Sequence, residues 1–129
     1  MRRRGLLVLA TLGVVAVNMI VVAHFIPDPA PPPNASPAQR VYYLRCVTCH
    51  GTVGTGSWRA TLSLIQPGNL ANSRRMAGFS DQYLFDIIKL GGSPIGKPGM
   101  PSFGSHLSDA EIRELVAYIR SLSAGGSSP

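Results

Sequence analysis

The chain contains two cysteines, Cys46 and Cys49, and His50 follows the second directly. In Cys46-Val-Thr-Cys49-His50, two thiols three positions apart stand beside an imidazole. Thiols at that spacing can each form a thioether with one vinyl side chain of a porphyrin. The adjacent imidazole then lies over the ring centre and ligates the iron, which is the pattern of c-type haem attachment. Rival chemistries fit less well. A thioredoxin-like dithiol needs a strand before the pair in a βαβ setting, whereas the prefix here has a helical pattern. A structural zinc site needs four ligands in short clustered pairs, and only His24 and His106 remain to complete one. A disulfide across three residues of a helix closes no useful loop.

Such a site needs a domain to hold it. The 129 residues allow one domain, and an apolar N-terminal segment and a Gly/Ser tail shorten it further. A core of that size is marginal and gains from a covalent staple such as a thioether-bound cofactor. Hydrophobic residues make up 45% and charged residues 14%, but much of the apolar content lies in the first 26 residues. The formal charge of +6 divides unevenly: Arg2, Arg3 and Arg4 precede the apolar run, and nine Lys/Arg face six Asp/Glu from Pro27 onward, a net of +3. Nucleic-acid binding would need a denser basic stripe, so no nucleic-acid partner is expected.

Gly5 to Ile26 is a 22-residue run without a formally charged residue. As a helix it would be roughly 33 Å long, enough to cross a bilayer. Residues 1–26 therefore read as a signal anchor, with the three arginines on the cytoplasmic side and the rest of the chain outside the cytoplasmic membrane, on the periplasmic side. Cleavage after Val21-Val22-Ala23 is the competing reading, though the run is long for a removed signal. Asn18 is either a contact to a neighbouring helix or a tolerated amide. Pro27 to Pro37 carries six prolines in eleven residues. That composition predicts an extended, semi-rigid spacer of roughly 30 Å, with residues 27–35 as the linker proper.

Residues 36–124 form the expected domain, and 125–129 a flexible tail. Ser36 caps a first helix with Pro37 at its first position, running through AQRVYYLRC. Ser80 opens a second, SDQYLFDIIKL, with Tyr83, Leu84, Ile87 and Ile88 at helical spacing and Gly91-Gly92 at its end. Ser108-Asp-Ala-Glu111 is a capping box for a third, on which Ile112, Leu115, Val116, Ile119 and Leu122 make one apolar stripe. No convincing period-two pattern occurs, so the fold class is all-α.

From Ser36 to Ala124 the sequence resembles the class I c-type cytochromes, small helical domains wrapped round one covalent haem. Ala38-x-x-x-Tyr42-x-x-x-Cys46 is similar to the family's small-residue and aromatic spacing on the first helix, with alanine where glycine is usual. Tyr118 in LVAYIRSL matches the aromatic that the family's last helix packs against the first. Lys97-Pro-Gly-Met100-Pro-Ser-Phe-Gly resembles the loop that supplies the sixth iron ligand, and its flanking prolines would hold Met100 extended toward the metal. The resemblance thus implies haem c on Cys46 and Cys49, with His50 and Met100 as axial ligands. Pro67 in QPGNL resembles the element whose carbonyl orients the proximal imidazole, although Gly68 intervenes before the Asn-Leu pair. Met76, in a mobile-looking SRRMAG stretch, and His106 are the alternative ligands; surface or packing roles suit them better. Trp58 would touch a propionate or fill the pocket.

His/Met ligation leaves no open iron position, which suits outer-sphere transfer of single electrons and not substrate turnover. The resemblance therefore implies an electron carrier, not an enzyme on its own. Its partners would be a membrane electron-transfer complex: a quinol-oxidising complex, a terminal oxidase, a reductase or a photosynthetic reaction centre. A fixed haem subunit of a larger respiratory complex is the second reading. A gas-binding haem sensor and a scaffold in which the haem is only a staple follow it.

Overall fold

The computed structural model describes residues 2–125, and all regular structure among them is helical. Among the described residues, helix α1 (Arg2–Phe25) contributes none to the domain's hydrophobic core. Its segment Arg4–Val22 has mean hydropathy 2.5 and no buried residue, and it is long and apolar enough to cross a membrane. The two uncharged polar side chains in it are satisfied within the helix. Thr11 Oγ1 donates to Val8 O at 2.9 Å, and Asn18 Nδ2 to Val14 O at 2.8 Å. That closure is what a hydrocarbon surround demands, and it assigns the Asn18 amide to its own helix.

The linker differs from a free spacer. Asp28 accepts from Thr48 Oγ1 at 2.5 Å and pairs with Arg59 at 2.7 Å, while Arg59 also donates to Ile26 O. Further on, Ala35 N–H closes a turn on Pro32 O at 3.0 Å, and Arg40 Nε donates to Ala35 O. Polyproline composition favours extension, but one carboxylate with two donors within reach folds the linker's start back onto the domain.

The domain is built on two helix contacts. Helix α2 (Pro37–Arg45), capped by Ser36, crosses α7 (Asp109–Ser123), and α6 (Asp81–Leu90) packs beside α7. Tyr42 of α2 meets Tyr118 of α7 edge-to-face, ring centres 5.2 Å apart and planes at 64°. All five stripe residues of α7 are buried. On α6 the buried set is Leu84, Phe85 and Ile88, whereas Tyr83 and Ile87 are half-buried. Full burial of each such side chain contributes about 1.5–3 kcal/mol. The capping box at Ser108 and Glu111 forms as expected.

Three short elements were not legible as helices. α3 (Val47–His50) continues α2 after Cys46, α4 (Trp58–Leu62) is capped by Ser57, and α5 (Ser73–Ala77) by Asn72. Each is too short for a periodic apolar signal. Arg120 of α7 secures the α5–α6 corner, donating to Met76 O, to Phe79 O and to the Asp81 carboxylate.

Candidate haem-binding site

Cys46 lies between two helices with its own backbone in the helical region, so α3 turns directly out of α2. Its carbonyl accepts from both Cys49 N–H (3.2 Å) and His50 N–H (2.8 Å). Both thiols and the imidazole thereby sit on a single turn. The Tyr42 hydroxyl, one turn earlier, donates to Gly51 O at 2.8 Å and braces the residue after His50. The turn faces a cleft of about 610 Å³ whose lining includes Cys46, Cys49, His50, Pro67, Met76 and Met100. That volume falls in the range of about 300–1,000 Å³ usual for cofactor pockets. Neither cysteine is in a disulfide.

His50 Nδ1 lies 3.2 Å from the carbonyl oxygen of Gly68. A carbonyl only accepts, so Nδ1 carries the proton and Nε2 keeps its lone pair for a metal. Burial pushes the His50 pKa below the usual imidazole value, although the Gly68 bond opposes the shift. The ring is thus neutral at pH 7, the form that ligates. The sequence assigned this bond to Pro67. Pro67 lines the cleft, but the accepting carbonyl belongs to Gly68, because the extra residue before Asn69 advances the chain by one carbonyl.

Burial pushes the Cys46 thiol up to about 12, with Cys49 adding to the effect. Cys49 is also raised, by burial and then by the Asp28 carboxylate. Both are protonated thiols at neutral pH, which makes them poor candidates for dithiol redox chemistry.

Met100 is half-buried and packs against the core from the loop between α6 and α7. Two glycines hold it there. Gly92 N–H donates to Met100 O at 2.9 Å, and Gly91, at φ 82°, leaves no room for a Cβ, which would lie 2.8 Å from Ser102 N and 3.0 Å from Met100 O. A Cβ on Gly92 would lie 2.1 Å from Lys97 O. Phe103 N–H and Gly104 N–H then bond Ile88 O and Lys89 O, each at 3.0 Å, so the loop is laced to the end of α6. A single glycine suffices to end a helix; the second in Gly91-Gly92 was the overlooked sign of this close approach.

Met76 departs from its expected mobile setting. It is 2% exposed, in the core, with its α5 helix fixed by Arg120. Trp58 departs further: it is 51% exposed and does not line the cleft. His106 is exposed and bonded to Ser105 at 2.9 Å. Around the cleft stand three cations, Arg45, Arg75 and Lys97, and no Asp or Glu is in its lining. The donor set and the setting fit a covalent haem: two free thiols at thioether spacing, a neutral imidazole with one free nitrogen, a thioether on a pinned loop, an apolar cleft, and cations suited to propionates.

Residues 33–119 match the family model described as cytochrome c oxidase, cbb3-type, subunit III. Among solved structures, the KustC0563 c-type cytochrome is similar, with a TM-score of 0.55 and 25% identity over 64% of this chain and 93% of that one. No curated protein matches the sequence. The matched segment contains the Cys46–His50 turn, the Met100 loop and most of α7. The chain therefore belongs to the cbb3-type cytochrome c oxidase subunit III family and carries a class I c-type cytochrome domain.

Proposed function

We propose that the chain is a membrane-anchored mono-haem cytochrome that passes single electrons to or from an oxidase-type membrane complex. One observation carries the reading: a single cleft gathers Cys46, Cys49, His50 and Met100. Cys46 and Cys49 would hold haem c through thioethers, and His50 and Met100 would supply the nitrogen and sulfur that ligate its iron. When bound, that group supplies an iron centre that cycles between ferric and ferrous states. The protein's own part is positioning. Gly68 O fixes the His50 ring and increases its basicity. The Gly91-Gly92 pair presents Met100 without an ordering step, and the apolar lining excludes water. Arg45, Arg75 and Lys97, at the cleft, would balance the charge of the propionates.

Two features bear on whether the domain shuttles or stays fixed. The Asp28 contacts to Thr48 and Arg59 shorten the tether, and the family description is that of an oxidase subunit. Both favour the fixed-subunit reading over a free-ranging shuttle. The length and apolarity of α1 support a single-pass anchor, and the three arginines that precede the span favour the haem domain on the periplasmic side. Reduced-minus-oxidised spectra of membranes, followed by affinity purification in mild detergent, test the proposal. A c-type spectrum co-purifying with an oxidase-type complex is expected; a chain without haem stain after denaturing electrophoresis overturns it. Recovery of the haem protein alone keeps the carrier and removes the fixed subunit.

A further inference from the structure

Helix α4 turns its apolar side outward. Ala60 is buried, yet Trp58 and Leu62, four positions apart and so on one helix face, are 51% and 44% exposed. Neither lines the cleft. Trp58 instead closes a nearly all-apolar groove with Val15, Met19 and Val22 of the second half of α1 and with Ile26 just beyond its end. The arrangement is fastened: Arg59 pairs with Asp28 and donates to Ile26 O, and Asp28 also holds Thr48. The one cation on α4 is thereby neutralised at the point where the span ends.

We infer that α4 is an interfacial foot, with Trp58 and Leu62 seated in the lipid leaflet next to the C-terminal end of α1. The inference rests on the reading of α1 as a retained membrane span. Side chains of a span lie in hydrocarbon, and a face that continues the same groove lies at the same level. Tryptophan suits that level because its ring prefers the boundary between headgroups and acyl chains. The occupant is lipid because the groove's other wall is the span itself. Seated this way, the domain holds one orientation to the membrane, with the Cys49 side of the haem turn beside the surface, since Thr48 and Asp28 join the two.

The test uses the full-length haem protein in phosphatidylcholine vesicles, nitroxide-labelled after maturation through Leu62→Cys, with Glu114→Cys as an exposed comparison on α7. In the ferrous protein, the ratio of collisions with oxygen to collisions with an aqueous nickel chelate is expected to be severalfold higher at 62 than at 114. Trp58→Ser in the Leu62→Cys background should lose most of that excess. The unlabelled protein gives a second measurement, because Trp58 is its only tryptophan: lipids brominated near the headgroup should quench its emission. Equal nickel access at both positions, with no quenching of Trp58, overturns the inference. So does a label shielded from both reagents, which indicates a protein chain or a second copy in the groove. Alkaline carbonate separates the two readings. A wild type that resists extraction while position 62 stays aqueous removes the foot alone; release by carbonate removes the anchor and the foot together.

Discussion

The imidazole of His50 donates from Nδ1 to the carbonyl oxygen of Gly68, 18 residues further along the chain. The bond fixes both the tautomer and the plane of the ring, and its acceptor is a main-chain atom. Gly68→Ala should therefore leave the spectrum and the potential unchanged, since a Cβ there meets no protein atom within 4 Å and the accepting carbonyl is retained. Deleting Gly68 should bring the Pro67 carbonyl into its place, since the extra residue is what moved the acceptor by one, and so keep the imidazole's basicity and the potential near their wild-type values. Potentiometric titration of both variants checks the pair. A large shift in Gly68→Ala contradicts the backbone assignment.

Gly91→Ala tests how Met100 is presented. The substitution places a methyl against Ser102 N and Met100 O at a backbone angle that favours glycine. The expected outcome is a haem that stays attached but becomes partly high-spin and binds carbon monoxide in the ferrous form. Optical spectra with and without carbon monoxide decide it; a wild-type spectrum means the loop does not depend on this approach.

Met76 is a core residue beside the cleft, and its removal should act on stability. Met76→Ala should cost about 2–5 kcal/mol in denaturant unfolding, the usual range for a buried methionine, without changing the low-spin spectrum. Tyr42→Phe should cost less, about 0.5–1.5 kcal/mol, through loss of the bond to Gly51 O. A high-spin Met76→Ala protein contradicts both the packing role and the Met100 assignment.

Losing either thiol should cripple haem attachment. Cys46→Ala and Cys49→Ala are expected to give weak or absent haem stain after denaturing electrophoresis, since a single thioether is a poor staple. Full-intensity stain from both variants contradicts the attachment site.

How much of this was readable beforehand follows from the range of each signal. The α7 stripe and the Ser36, Ser80 and Ser108 caps lie in the sequence because period and capping are local, whereas the Tyr42–Tyr118 contact was implied only by the family resemblance. The Cys46–His50 turn was legible for the same reason, as covalent chemistry fixes its spacing. What the sequence hid depends on chain segments meeting. The carbonyl that reaches His50 shifts from Pro67 to Gly68 through one extra residue. Met76 moves into the core because Arg120, 44 positions away, fastens its helix. Nothing in the composition of the proline-rich spacer marks Asp28, whose partners lie 20 and 31 residues on.

The central claim, that Met100 completes the coordination of a covalently held electron-transfer haem, is tested most directly by potentiometric titration with optical detection on wild type and Met100→Ala. The wild type should be low-spin in both oxidation states and inert to carbon monoxide. Met100→Ala should keep its haem, open a coordination position, bind carbon monoxide when ferrous and titrate at a lower potential, because thioether sulfur favours ferrous iron. His106→Ala, altered at an exposed side chain outside the cleft, should titrate as wild type. If Met100→Ala titrates as the wild type does, while His106→Ala or Met76→Ala becomes high-spin, the assignment of Met100 is contradicted.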